Sequence, residues 1–187
     1  MKPDVLVVCT GNVGRSPAAE YLMSARTGLS VRSAGTRAVV GAPVEPPMAA
    51  LLAEGGMATE GFAARQLTEA HVERPVLVLG LAREHRAAVV ELDPRALGRT
   101  FTLRELARLA ANLPRTDVEE IRAAATPRAR LVRLVEKAHA ARATAAVEAR
   151  DPASDDIEDP IGRPANVYAE VYQQIKQAVA TIARVLG

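Results

Sequence analysis

An uninterrupted apolar run, Val5-Leu-Val-Val8, ends in a cysteine, and Thr-Gly-Asn-Val-Gly-Arg-Ser16 follows before Pro17. Four consecutive Val and Leu residues fit a strand buried on both faces, the pattern of a parallel sheet. Ser16 is expected to cap a helix, and Pro17 suits a first helical turn, where no N–H is needed. A strand, a short glycine-containing loop and a helix N-terminus together present several backbone N–H groups to one anion. The loop begins at a thiol and ends at the Arg15 guanidinium, so a bound anion would have a nucleophile beneath it.

Cys9 is the only cysteine in the chain. One sulfur makes no disulfide and is too few for a typical structural zinc site. Free cysteine is most often a small buried hydrophobe. The register of Gly11, Asn12, Arg15 and Ser16 around it instead favours a nucleophile. A thiol acts in that role as its thiolate, and a helix N-terminus with a nearby guanidinium favours the charged form. The planar fork of Arg15 binds two oxygens at once, which a lysine would not do. Gly11 and Gly14 are expected to take backbone angles closed to other residues, and Asn12 tolerates the left-handed region.

Beyond the loop, strands and helices alternate. Gly28 closes the first helix, and Leu29, Val31 and Ser33 alternate as a second strand. Pro47–Glu54 reads as a helix. Thr68 opens a short helix with His71 where a capping box would have Glu or Gln, so no box is expected there. Pro75–Leu81 reads as a third strand, Arg83–Leu92 as a helix, and Arg99–Leu103 as a fourth strand leading into a helix to about Leu113. This order predicts a three-layer α/β/α fold with a four-stranded parallel sheet and the ligand at the strands' carboxyl ends, where Cys9 falls. Thr116–Arg150 is Ala- and Arg-rich and reads as one or two surface helices. Ile121, Leu131, Leu134 and Val135 stand at helical spacing, and Glu119, Glu120, Glu136 and Glu148 mix with the arginines, which favours a solvated face over a basic binding arm. The stripe Val167, Val171, Ile175, Val179 and Ile182 makes Asn166–Leu186 a final helix docked on the sheet.

The 187 residues fit one domain, 1–187, and aromatics at 3% leave the core to Ala, Val and Leu. A net charge of +2 from 24 basic and 22 acidic residues is a mixed surface, which argues against a nucleic-acid partner. The apolar run behind Lys2 is too short for an export signal, no segment is long and apolar enough for a membrane, and a lone thiol suits a reducing cytoplasm. His71, His85 and His139 lack metal-ligand spacing and are read as surface residues, so neither metal nor cofactor is expected.

The segment Cys9-Thr-Gly-Asn-Val-Gly-Arg-Ser-Pro17 resembles the signature of the low-molecular-weight protein tyrosine phosphatases. Asp156-Ile-Glu-Asp-Pro-Ile-Gly-Arg-Pro164 resembles that family's Asp-Pro loop, and Ser33-Ala-Gly-Thr36 and Ala64-Arg-Gln66 also match, all in the family's order; the resemblance covers nearly the whole chain apart from a stretch from about 114 to 152 that looks like an insertion. The resemblance implies Cys9, Arg15 and Asp159 as catalytic residues, with Asp159 the general acid. It implies that Thr10, Gly11, Asn12, Val13, Gly14 and Ser16 bind the phosphoryl group, that Asn12 holds the loop, and that Ser16 bonds the sulfur. Crowding of Asp159 by Asp155, Asp156 and Glu158 is expected to favour its protonated form. The implied partners are phosphorylated proteins, with phosphate or other oxyanions in the loop.

Several residues depart from the family pattern. Gly14 stands where many members carry a second cysteine, so Cys9 lacks that redox partner. Ile161 and Gly162 replace aromatics after Asp-Pro, the Val39–Pro47 loop has none, and Phe62 stands where several relatives place histidine. A protein-arginine phosphatase of the same fold is the second reading, although such relatives tend to carry Thr at the position of Val13. A phosphate-binding module without turnover is a third. A thioredoxin-linked arsenate reductase would need further cysteines.

Overall fold

All five residues of β1 (Val5–Cys9) are buried, and the strand pairs in parallel with β2 (Val31–Gly35) on one side and β3 (Leu77–Gly80) on the other. In this computed structural model, which describes residues 3–145 and 152–187, β4 (Thr100–Thr102) completes a parallel sheet ordered β2-β1-β3-β4. Helices follow in the order α1 (Arg15–Thr27), α2 (Pro46–Glu54), α3 (Glu69–Val72), α4 (Arg83–Leu92), α5 (Leu103–Ala111), α6 (Arg115–Ala123), α7 (Pro127–Ala145) and α8 (Ala165–Leu186). The expected four-stranded α/β/α architecture is therefore present.

The two faces of β1 explain the layers. Val5 and Val7 join Leu77, Leu79 and Phe101 in a large core with α1, α5 and α8. Leu6, Val8 and Val78 face the other way, onto Val72 of α3 and Val89 of α4. A strand sandwiched in this way needs apolar residues at every position, hence the unbroken run. Each fully buried Val or Leu contributes about 1.5–3 kcal/mol relative to exposure. At the end of α1, Gly28 takes φ 66°, and its N–H bonds the Ser24 carbonyl at 3.3 Å.

Two expectations need correction. A capping box does close the start of α3: the Thr68 N–H donates to His71 Nδ1 at 3.2 Å, the imidazole standing in for a carboxylate. The Ala- and Arg-rich segment forms two helices, but they are not confined to the surface. Ile121 of α6 and Leu131, Leu134 and Ala138 of α7 are fully buried in the main core. Lys137 ties α7 to Asp117 and Glu120 of α6 at 2.7 and 2.6 Å. Arg142 of α7 lies 3.9 Å over the Phe101 ring and donates to the Thr100 carbonyl at 2.8 Å. The end of that segment, including Glu148, lies outside the described residues. As expected, α8 buries Val171, Ile175, Val179 and Ile182 in the core that also holds Val5, Val7, Leu77 and Leu79 of the sheet, and it lies between α1 and α5. No helix among the described residues is long and apolar enough to cross a membrane.

Candidate active site

Cys9 is the last residue of β1, 2% exposed, with its Sγ 2.9 Å from Ser16 Oγ. Ser16 thus faces the sulfur and does not cap α1, whose N-cap is Gly14. The correction follows from demand: the Ser16 hydroxyl also accepts from Asn12 Nδ2 at 2.9 Å, so its oxygen is committed to the loop interior. Asn12 Nδ2 donates its second hydrogen to Ser33 Oγ at 2.8 Å, and Asn12 Oδ1 accepts from the Arg65 N–H at 2.8 Å. Ser33 in turn donates to Glu20 Oε2 at 2.6 Å. This buried network is complete without a histidine at Phe62, which packs on Tyr21 at 6.3 Å and beneath Arg65 at 5.5 Å. Within the described residues, no backbone N–H from Gly11 to Ser16 is taken up by a protein acceptor. Those donors belong to the loop that follows Cys9 directly and are open to an anion.

Arg15 is 4% exposed and makes three contacts across the mouth of the loop. Its Nη1 donates to the Ile157 carbonyl at 3.0 Å, while Nη2 donates to Thr10 Oγ1 at 3.3 Å and to Asp159 Oδ2 at 2.5 Å. The segment carrying Asp159 is anchored on both sides of Ile157. The Ile157 N–H donates to the Leu81 carbonyl at 2.9 Å, Arg83 grips Asp156 at 3.0 Å, and Arg108 grips Asp155 at 2.9 Å. Glu158 pairs with Arg163 at 2.8 Å. The expected crowding of Asp159 by like charges is thus offset, since each acidic neighbour has its own arginine.

Glycine is required at a position other than those expected. Neither Gly11 nor Gly14 has a positive φ, and the left-handed residue of the loop is Asn12, at φ 56°. A Cβ on Gly35 would lie 2.5 Å from the Thr10 carbonyl oxygen, so bare backbone lets β2 run against the loop. Val13 contributes its side chain to the core, leaving only its backbone at the site. The rim is aliphatic: Val39, Val40 and Ile161 are 57%, 71% and 45% exposed, and the Val39 N–H bonds the Gly11 carbonyl at 3.0 Å.

His85, expected on the surface, is 1% exposed, with Nε2 3.0 Å from Thr10 Oγ1. The signal available in the sequence was its position just after β3, at the carboxyl edge where α/β proteins build sites. Burial, and then the charge of Arg15, push its imidazole from 6.5 down to about 4, against the opposing pull of Asp159 and Asp156. The folded protein therefore binds this proton less readily than the unfolded chain. The stability this group contributes is full above about 6.5 and is lost as pH falls toward 4. Urea melts are expected to show about 2–3 kcal/mol of pH-dependent loss across that window that His85→Gln removes. Identical pH dependence in the two proteins would exclude it.

The arrangement places the chain among parallel α/β proteins that build an anion site where the strand order reverses, here between β1 and its two neighbours. Residues 4–120 match the family described as low molecular weight phosphotyrosine protein phosphatase, and the chain belongs to that family. It is 39% identical over 98 residues to the low molecular weight protein-tyrosine-phosphatase Etp of Escherichia coli. That match takes in 52% of this chain and 66% of the relative, just short of two thirds of its length. A probable low molecular weight protein-tyrosine-phosphatase, EpsP of Ralstonia solanacearum, is 36% identical over 103 residues, covering 54% of this chain and 71% of the relative. Among solved structures, the tyrosine phosphatase AmsI of Erwinia amylovora superposes with a TM-score of 0.70 at 21% identity, covering 100% of this chain and 95% of that one. The YwlE arginine phosphatase of Geobacillus stearothermophilus gives 0.67 at 24% identity, covering 96% and 90%. These two likenesses are of fold. The family match includes Cys9 and Arg15 but ends before Asp159, whose place in the site rests on its contact with Arg15.

Proposed function

We propose that the chain is a cysteine-dependent phosphatase that hydrolyses phosphotyrosine on proteins through a phospho-cysteine intermediate. The observation that carries this reading is the run of N–H groups from Gly11 to Ser16 that follows Cys9 and has no protein acceptor among the described residues, with Arg15 paired to Asp159 at 2.5 Å. A phosphoryl group seated there takes hydrogen bonds from the backbone of residues 11 to 16 and competes with Asp159 for the Arg15 fork. The Cys9 thiolate, stabilised by the Ser16 hydroxyl, attacks phosphorus as the bond to the tyrosine oxygen breaks. Asp159, in its protonated form, gives its proton to that leaving oxygen. It then accepts a proton from a water that attacks the phospho-cysteine, breaking the P–S bond and releasing inorganic phosphate. Each step uses groups of this chain and water, with no cofactor.

Phosphorylated proteins are then the partners, and a reducing compartment such as the cytoplasm suits a lone catalytic thiol. The segment 114–152 is read as an insertion of this chain, a reading supported by the family match ending at residue 120. The aliphatic rim of Val39, Val40 and Ile161 would cover a phenyl ring by apolar contact in place of aromatic stacking. The test is a side-by-side rate comparison on phosphotyrosine, phosphoserine and phosphoarginine peptides. The phosphotyrosine peptide is expected to turn over fastest. Preference for phosphoarginine would install the arginine phosphatase instead, and phosphate binding without turnover of any peptide would leave a binding module.

A further inference from the structure

Thr10 and His85 stand 75 residues apart in sequence, and the fold brings Oγ1 and Nε2 to 3.0 Å. Gly80 makes this approach possible. A Cβ there would meet the Arg86 nitrogen at 2.8 Å and His85 Cβ at 3.2 Å, so α4 starts closer to β3 than a side chain would permit. The same turn also holds the acid segment, through the Leu81 carbonyl to Ile157 and through Arg83 to Asp156. It therefore touches both halves of the site.

The hydrogen on His85 can be assigned from its surroundings. A buried N–H without an acceptor is costlier than a ring nitrogen without a donor, so the hydrogen belongs on Nε2, which has Thr10 Oγ1 as its partner. Nδ1 is buried without a partner among the described residues. Arg15 and the carboxylates of Asp159 and Asp156 act on the ring with opposite sign, and burial keeps it neutral. Thr10 Oγ1 then accepts twice, from His85 Nε2 and from Arg15 Nη2 at 3.3 Å. A hydroxyl has two lone pairs and one hydrogen to give. With both lone pairs filled, the Thr10 hydrogen is left for a further acceptor.

We propose that His85 is a positioning residue that fixes the Thr10 hydroxyl as a side-chain donor to the phosphoryl oxygens, beside the backbone N–H groups. This rests on the reading of the loop as a phosphate site. The test is calorimetric titration of inorganic phosphate into the wild type, His85→Leu, His85→Gln, Thr10→Val and the His85→Leu/Thr10→Val double variant, with a melting temperature for each. Losing one hydrogen bond to a charged acceptor is expected to weaken phosphate about 5- to 20-fold in His85→Leu and in Thr10→Val. The double variant is expected to be no weaker than either single one, because the two act through one hydroxyl. His85→Gln, which places an amide N–H at similar reach, is expected to recover most of the loss. Losses that add in the double variant, or a Gln variant as weak as the Leu variant, would overturn the proposal. If His85→Leu does not fold, Thr10→Val and His85→Gln decide it: wild-type affinity in Thr10→Val, or loss in His85→Gln, overturns it. A wild type that takes up no phosphate overturns both this proposal and the phosphatase reading. Phosphate binding that His85→Leu fully retains overturns this proposal alone.

Discussion

Replacing Cys9 by serine is expected to lower turnover of p-nitrophenyl phosphate by about 10⁴-fold or more, while inorganic phosphate still binds. The two effects separate because they come from different groups. Attack needs the sulfur, which sits 2.9 Å from Ser16 Oγ at the floor of the loop. A serine oxygen holds its proton far more tightly than a thiol, and no imidazole stands beside this position to remove it, since His85 faces Thr10. Binding needs the backbone donors of residues 11 to 16 and the Arg15 fork, none of which the substitution touches. Steady-state rates and phosphate calorimetry on the same preparation decide the matter. Turnover near wild type would remove Cys9 as the nucleophile.

Replacing Asp159 by alanine is expected to have an effect that depends on the leaving group. Phenolic oxygens of high basicity need a proton as they depart, and loss of a general acid there amounts to about 10²–10⁴-fold. Nitrophenolate leaves readily unprotonated, so its rate is expected to fall much less. An opposite change is expected in phosphate affinity. Asp159 Oδ2 holds Arg15 Nη2 at 2.5 Å, and removing that competing acceptor and its negative charge frees the fork for phosphate. A plot of rate against leaving-group basicity, steeper in the variant than in the wild type, is the signature. An equal loss for every leaving group would set Asp159 aside as the acid.

Much of this site was legible because its parts are local in sequence. The apolar run, the glycine loop and the start of α1 lie within one stretch, and Asp159 announces itself beside a proline. Residues whose roles arise from pairing across the chain were not legible. Gly35 is required because strand register sets it opposite Cys9 and its backbone against Thr10. His85 is buried because β3 runs next to β1, which no local pattern reveals. Residue type alone points to the glycines of the loop, whereas its left-handed residue is Asn12, fixed there by three side-chain hydrogen bonds. The burial of α6 and α7 was hidden by arginines, whose long stems cover apolar surface while their heads reach polar groups.

Arg142 has a consequence at some distance from the chemistry. A sheet of four strands has two flanks, and an exposed flank of unsatisfied N–H and C=O groups is a template for another chain. On the β2 side, Gln66 bridges to Gly35. On the β4 side, the Arg142 guanidinium occupies the Thr100 carbonyl that an incoming strand would need, and it sits over the Phe101 ring. The Ala- and Arg-rich helices therefore cover the β4 edge of the sheet, where α7 sets a side-chain donor on a carbonyl that strand pairing would otherwise use.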